Sequence, residues 1–538
     1  MEEQELTMMF YFASDNPLAP LVVSEIKAIK DAGFQKNTNV LVYFDPMEIG
    51  APTQLCDVNR ERKRSKTKSI IGDGADPFVR NMKEDLVAEP GMDLSSLNAA
   101  QSLESFIDFA LKERPARNYM LFLVGHGMLV GNDTFLPDDD TQSAITLEQL
   151  HRLCKKFTPQ GGKTQLRLLA LHSCSMSSIE LAYQLRGTAD FLMATQATVF
   201  VNGWPYRQLL KKTLNQVNEV KEPDRGSSAP TEVDYDDLIR KLHFLCMHNF
   251  TDFLNAGYSC ELSLCRLDKD SLENLNDPLQ KLVAALKTGL TQPTSAIKDL
   301  VLLAHWDAQS FFSENYTDLW DFCHCLMERC KARSKDLTSM GGSGPMIDEL
   351  SKISGLCAGV KKVLAPDNRR AQADEIVILE DNAGSEFQFA RGLSVYFPWC
   401  EPLEDQRPTP KSPFELGQGE KKKKKTIMQI YGDYEFNTQF GTDSWFTFLR
   451  DYFENTKRAA PNGRQRGPQF GAAKDAFFAG VLKRTPELKR TPEEGPSDCT
   501  CPSIKNYPNT NYIDPTVPGL NFVQFEITDG ALDAFSPE

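Results

Sequence analysis

Two short apolar runs constrain this chain more than anything else in it: Leu121-Phe-Leu-Val-Gly-His126-Gly127 and Leu168-Leu-Ala-Leu-His172-Ser-Cys174-Ser-Met. Each has the length of a strand and stops at a residue able to do chemistry. A strand of a parallel sheet, covered on both faces, reads as a continuous apolar run, and open α/β sheets place their sites just beyond the carboxyl ends of such strands. The pattern therefore predicts that His126 and Cys174 meet in one crevice. A thiol acts as a nucleophile when a proton acceptor and an electropositive setting lie close, so Cys plus His is the smallest constellation sufficient for acyl transfer.

The surrounding sequence supplies the sheet that such strands need. Leu6 to Phe12 is strand-like, residues 17 to 33 carry a helical period, and Val40 to Phe44 reads as a second strand. After a basic stretch from Arg60 to Lys68, residues 95 to 113 form an amphipathic pattern that feeds the strand ending at His126. The unit then repeats: a helix opens at Thr146, a strand ends at Leu171, a helix spans Ser175 to Leu185, and a strand covers Phe191 to Ala194. The expected fold is α/β, a mostly parallel sheet flanked by helices, followed by a helix-rich region over residues 236 to 365. Farther on, Gly392-Leu-Ser-Val-Tyr-Phe-Pro398 reads as a strand stopped by proline.

At 538 residues the chain exceeds what one core usually serves. The expected division is a domain over 1–215 that holds both chemical residues, a linker or long loop over 216–234 around Arg225-Gly-Ser-Ser-Ala-Pro230, and a second region over 235–455. Residues 456–538, rich in Gly, Pro and basic residues and repeating Lys-Arg-Thr-Pro from Lys483 and Lys489, are expected to be a flexible tail. A formal net charge of −14 argues against nucleic acid as the main partner. The start, Met1-Glu-Glu-Gln-Glu, lacks a basic, apolar leader, and no apolar run approaches the ~20 residues that span a bilayer, so a cytoplasmic protein without a membrane partner is expected. Thirteen cysteines in such a setting read as free, mostly buried thiols.

In order along the chain, Phe10-Tyr-Phe-Ala-Ser-Asp15-Asn16, Gly125-His126-Gly127, Cys174-Ser-Met176 with Glu180-Leu-Ala-Tyr183-Gln-Leu, Ala189-Asp190, Gly203-Trp204-Pro-Tyr206, Tyr316-Thr-Asp318-Leu319, Gly392 to Pro398, and Tyr434 with Trp445 form a recognisable succession. Taken together, over roughly residues 5 to 455, it resembles the clostripain-like cysteine peptidases, relatives of caspases, gingipains and legumains with a caspase-type sheet. The resemblance implies a cysteine endopeptidase acting on protein substrates, with Cys174 as nucleophile and His126 as general base and acid. The backbone N–H groups of Gly127 and Cys174 would form the oxyanion hole, worth about 3 kcal/mol for one donor. A strand-to-helix turn at Cys174 would let helix N-terminal amides favour the thiolate. This chemistry requires no metal.

The chain departs from that family at two places. The residue two before the nucleophile is usually an aspartate that faces the Arg or Lys preceding the scissile bond; here it is His172, neutral or positive near neutral pH. A basic preference then requires another carboxylate, for which Asp190 is the candidate, with Trp204 as a further substrate-binding residue. An acidic or polar preference is the other outcome. The loop after His126, through Asp138-Asp139-Asp140, lies where family members are commonly cleaved during maturation, yet it holds no Lys or Arg. Self-processing near Asp140 is expected, or opening by an activating protease or regulatory partner. The acid run also has the chemistry to bind Ca²⁺, although its spacing is not that of a calcium loop, and a solvated acidic loop is the plainer expectation.

Cys323-His324-Cys325 with Cys330 has the wrong spacing for zinc and is expected to be a buried helix face. Cys499-Thr-Cys501 is expected to be merely exposed. The runs Arg60–Lys68 and Lys421–Lys425 lack interleaved aromatics and read as solvated loops. The altered His172 signature leaves one alternative to a peptidase, an interaction scaffold or regulatory subunit of the same fold without turnover.

Overall fold

A computed structural model describes residues 3–14, 18–32, 36–44, 53–58, 97–127, 130, 135–138, 141, 143–159, 162–219, 232–250, 254, 258–292, 296–311, 315–341, 344–364, 375–402 and 426–456, together with four two-residue strand segments farther on. Both basic runs, residues 220–231 of the expected linker, Asp139, Asp140, Cys499 and Cys501 lie outside the described residues.

Eleven strands precede residue 457 among the described residues: β1 (Gln4–Phe12), β2 (Thr38–Phe44), β3 (Gln54–Asp57), β4 (Ala116–Val124), β5 (Leu166–His172), β6 (Phe191–Ala194), β7 (Cys260–Arg266), β8 (Ser310–Phe311), β9 (Tyr316–Asp318), β10 (Val377–Ala383) and β11 (Ser394–Tyr396). Eight of them form one sheet in the order β10-β7-β6-β5-β4-β1-β2-β3. Its centre, β2-β1-β4-β5-β6, is parallel throughout, and β3 and β7 pair antiparallel at the two flanks. The mostly parallel sheet flanked by helices is thus the fold expected from the sequence.

Burial on both faces explains the apolar runs. Along β1, Met9 and Tyr11 enter one core while Met8, Phe10 and Phe12 enter the other, as a two-residue pleat dictates. The helices Ala19–Lys30, Tyr206–Glu219 and Tyr235–His248 cover the second core through Val22, Ile26, Leu209 and Leu238. Helices Ala99–Glu113 and Leu147–Cys154 cover the first, each opened by a capping box, from Asn98 with Gln101 and from Thr146 with Gln149. Each fully buried Leu or Phe of β4 and β5 contributes roughly 1.5–3 kcal/mol, so the two strands that end at the site are among the most firmly held parts of the chain.

Several elements differ from the sequence reading. Tyr206–Glu219 is helical, so regular structure runs four residues into the stretch read as linker. The region read as helix-rich contributes β7, and β10 follows it, so strands on both sides of residues 220–231 share one sheet. Both strands are short and carry polar residues, Glu261 and Ser263 in β7 and Glu380 to Asn382 in β10, which hides them from an apolar-run search. The expected strand near Gly392 is β11, which joins β8 and β9 in a small sheet. Of the expected buried helix face, Cys323 and Cys330 lie fully buried on the helix Leu319–Ser339, while His324 and Cys325 are only half-buried. Among the described residues no helix is long and apolar enough to cross a membrane.

Candidate active site

The site forms where β4 and β5 end side by side. Their register pairs Val124 with His172, and the Gly125 N–H donates to the His172 carbonyl at 3.4 Å. Two residues on, Gly127 lies so close to Cys174 that a Cβ at Gly127 would fall 1.7 Å from the Cys174 carbonyl oxygen and 2.8 Å from its nitrogen. Only glycine fits there. His126, one residue before this close approach, is exposed, and Cys174 is half-buried. The loop beyond His126 is tied back to it, because the Leu136 N–H donates to the His126 carbonyl at 3.1 Å.

Cys174 sits on an irregular elbow rather than at the start of a helix. The following residue, Ser175, has φ of 58°, a left-handed conformation that costs a non-glycine residue about 1–2 kcal/mol. The next helix begins only at Ile179, where Ser178 accepts from the Leu181 N–H as its cap. The expected support of the thiolate by helix amides is therefore corrected: the helix is short, starts five residues on and has its own cap. The N–H that meets Sγ belongs to Val199, at 3.4 Å, on the segment after β6. Burial pushes the Cys174 thiol above its ordinary pKa, and backbone bonds at Val199 and Cys174 pull the other way.

The segment after β6 stands beside the elbow as a wall. Ala197 accepts from the Ser175 N–H at 3.0 Å, and Thr195 accepts from the Ser177 N–H at 2.8 Å. From the opposite side the Ala197 N–H donates to Oε1 of Glu261 in β7 at 2.8 Å. Glu261 is buried, its Oε2 has no hydrogen-bond partner among the described residues, and its pKa is pushed up to about 8, first by desolvation. Gln196 donates to Asp318 Oδ2 at 3.0 Å and accepts from the Gly392 N–H at 3.0 Å. Neither Val199 nor Glu261 was legible as a site residue, because β7 carries Glu261 and Ser263 and does not read as an apolar run.

His172 occupies the core of this wall and not a binding surface. Its ring stacks on Trp204 at 4.5 Å with an interplanar angle of 2°, and both side chains are buried. Since the Phe200 carbonyl can only accept, Nε2, 2.7 Å away, carries the proton and donates to it, and Nδ1 accepts from the Tyr206 hydroxyl at 2.6 Å. Burial lowers the pKa of this imidazole to about 4, so it is neutral. With both nitrogens engaged, His172 has nothing left with which to read a substrate charge, and Trp204 is its packing partner. The assignment of these two residues to substrate contact is corrected accordingly.

Asp190 is corrected more sharply. It stands at the start of β6, where its N–H donates to the Leu166 carbonyl and its carboxylate pairs with Arg167 at 2.6 Å. Arg167 is seven residues before Cys174 along a strand, so Asp190 lies on the order of 20 Å from the thiol, at the other edge of the sheet. Asp138 is buried and caps a turn, with Oδ1 accepting from the Thr141 N–H at 2.8 Å and its backbone bridged to Ser143. Among the described residues no group of three or more His, Cys, Asp or Glu side chains forms a metal site.

Residues 10–390 match the model of the clostripain family of peptidases. No curated protein matches the chain in sequence. Among solved structures, the chain is similar to an inactive zymogen C11 protease from Parabacteroides distasonis, with 17% identity, TM-score 0.46, and coverage of 83% of this chain and 99% of that one. It is also similar to a secreted C11 cysteine protease from Bacteroides thetaiotaomicron in complex with an irreversible peptide inhibitor, with 14% identity, TM-score 0.41, and coverage of 77% and 97%.

Proposed function

The chain belongs to the clostripain family of cysteine peptidases, and from that premise we propose that it hydrolyses protein substrates through Cys174 as nucleophile and His126 as general base and acid. The observation that carries this reading is the packing of Gly127 directly on the Cys174 backbone, which brings the two chemical residues to one edge of the sheet. His126 takes the Sγ proton, and the thiolate attacks the scissile carbonyl carbon. The resulting oxyanion accepts from the N–H groups of Gly127 and Cys174. His126 then gives its proton to the departing amine, leaving a thioester, and assists the water that hydrolyses it.

The residue before the scissile bond is, on this reading, not Arg or Lys. A buried cation needs a paired carboxylate, yet His172 is neutral with both nitrogens bonded, and Asp190 is at the far edge. The protein is made as a precursor, opened in the acidic loop near Asp138–Asp140 by its own activity or by an activating protease, and works in the cytoplasm. A fluorogenic peptide library varied at the residue before the scissile bond tests this, using wild type and Cys174→Ala with and without Ca²⁺. Expected is Cys174-dependent turnover with acidic or uncharged residues preferred. Preference for Arg or Lys overturns the specificity, and a chain still intact after prolonged incubation of active enzyme overturns self-processing.

A further inference from the structure

The wall formed by residues 195–200 touches Cys174 Sγ through Val199, whose N–H lies at 3.4 Å and whose carbonyl lies at 3.9 Å, and is held from two sides by buried groups that the reaction does not consume. We infer that Glu261 and His172 are positioning residues of the peptidase, anchoring this wall so that the Val199 N–H is aimed at Cys174 Sγ. The inference rests on Cys174 being the nucleophile. Toward the start of the wall, the Ala197 N–H donates to Glu261 at 2.8 Å while the Ala197 carbonyl accepts from Ser175, immediately after the nucleophile, so Glu261 is one residue removed from the elbow itself. Toward its end, Nε2 of His172 holds the Phe200 carbonyl at 2.7 Å, next to Val199. Between the two anchors the Val199 N–H meets Sγ at 3.4 Å. An N–H so placed stabilises the thiolate over the thiol, which offsets the desolvation that burial imposes on Cys174.

The chemistry of the two anchors fits this task. Glu261 comes from β7, two strands away from β5 in the sheet, and supplies the acceptor for the Ala197 N–H. Burial first, and then the acidic Glu380 of β10 and Asp318 at the end of β9, favour the neutral acid, so the acceptor is mainly uncharged near neutral pH. At the other anchor the Tyr206 hydroxyl, donating to Nδ1, fixes the tautomer that leaves the proton on Nε2. Without that hydroxyl the proton is free to move to Nδ1, and Nε2 would then face the Phe200 carbonyl as a second acceptor.

The test is the pH profile of Cys174 alkylation by iodoacetamide in the full chain, read by peptide mass spectrometry so that the other cysteines do not contribute, together with kcat and KM. In Glu261→Leu the profile shifts to higher pH, and alkylation near neutrality slows roughly tenfold, the scale of one lost hydrogen bond to a charged group. The loss in turnover falls on kcat rather than KM. Glu261→Gln, which keeps a neutral acceptor, restores the wild-type profile, a rescue that mere space-filling would not require. Tyr206→Phe removes one oxygen from the other anchor and slows alkylation about threefold, which reads the same wall should Glu261→Leu not stay folded. A folded Glu261→Leu or Tyr206→Phe with the wild-type profile and kcat overturns the positioning role. Turnover that survives in Cys174→Ala overturns the nucleophile assignment instead.

Discussion

The two edges of the parallel sheet treat polar groups in opposite ways. At the amino edge carboxylates keep polar partners: Asp190 pairs with Arg167 at 2.6 Å in partly exposed positions, the buried Asp57 with Arg114 at 3.0 Å, and Glu5 accepts from the buried Asn118 amide at 2.9 Å. At the carboxyl edge the groups around Sγ are kept neutral, with His172 and Glu261 buried and Cys174 half-buried. Imidazole His172 is depressed to about 4, Glu261 is raised to about 8, and the Cys174 thiol is raised as well. Charge pairing at the first edge adds modest stability and tolerates water. Neutral, hydrogen-bonded burial at the second fixes geometry around a nucleophile whose charge is to appear only during reaction. The contrast explains why the residue most tempting as a specificity carboxylate, Asp190, has no part in the site.

The contrast is broken most severely at the carboxyl edge. His126→Ala removes the proton acceptor and is expected to lower kcat/KM by several orders of magnitude with the melting temperature nearly unchanged, because the side chain is exposed. Gly127→Ala places a methyl group where the Cys174 carbonyl stands and is expected to cost about a hundredfold in turnover by forcing the two loops apart. Steady-state kinetics alongside thermal melting separates both effects from unfolding.

His172→Asp sharpens the same comparison on the stability side. It sets an unpaired carboxylate against the Phe200 carbonyl in a buried site, and chemical denaturation should show a loss of about 3 kcal/mol with no gain of cleavage after Arg or Lys. The pH dependence of stability follows from the same residue. An unfolded chain takes up the imidazole proton near 6.5, whereas the folded one does so only near 4. Stability associated with His172 is therefore full above pH 6.5 and is lost as the pH falls toward 4. In His172→Gln, which keeps a donor and an acceptor, melting temperature should fall less steeply over that window. The smallest effect belongs to the amino edge: Asp190→Asn is expected to cost about 1 kcal/mol or less, since both partners are near one-third exposed, and to leave turnover unaltered.

What could be read from the sequence divides along similar lines. Apolar runs report burial on two faces, so β1, β2, β4, β5 and β6 were legible, as was the ending of β4 and β5 side by side just before Gly127 and Cys174. Lateral contacts are not periodic. Val199 approaches Sγ through a backbone N–H, which any residue type supplies, and nothing in its side chain marks it. Glu261 is separated from Cys174 by the whole helix pair between β6 and β7, and its polarity made β7 look unlike a strand. His172 was legible as an exception to a family pattern, but its role depends on Trp204 and Tyr206 folding over it from a turn some thirty residues later. The start of the helix after Cys174 was misplaced because Ser175, Ser177 and Ser178 are all acceptable helix openers, and only the last of them caps.

The most direct test of the account is to treat the full chain with an electrophilic peptide ending in an acidic residue and to locate the adduct by mass spectrometry. The account predicts a single adduct on Cys174, lost in His126→Ala and slowed in Glu261→Leu. An adduct on another cysteine, or no adduct even after limited proteolysis of the loop beyond His126, would contradict it.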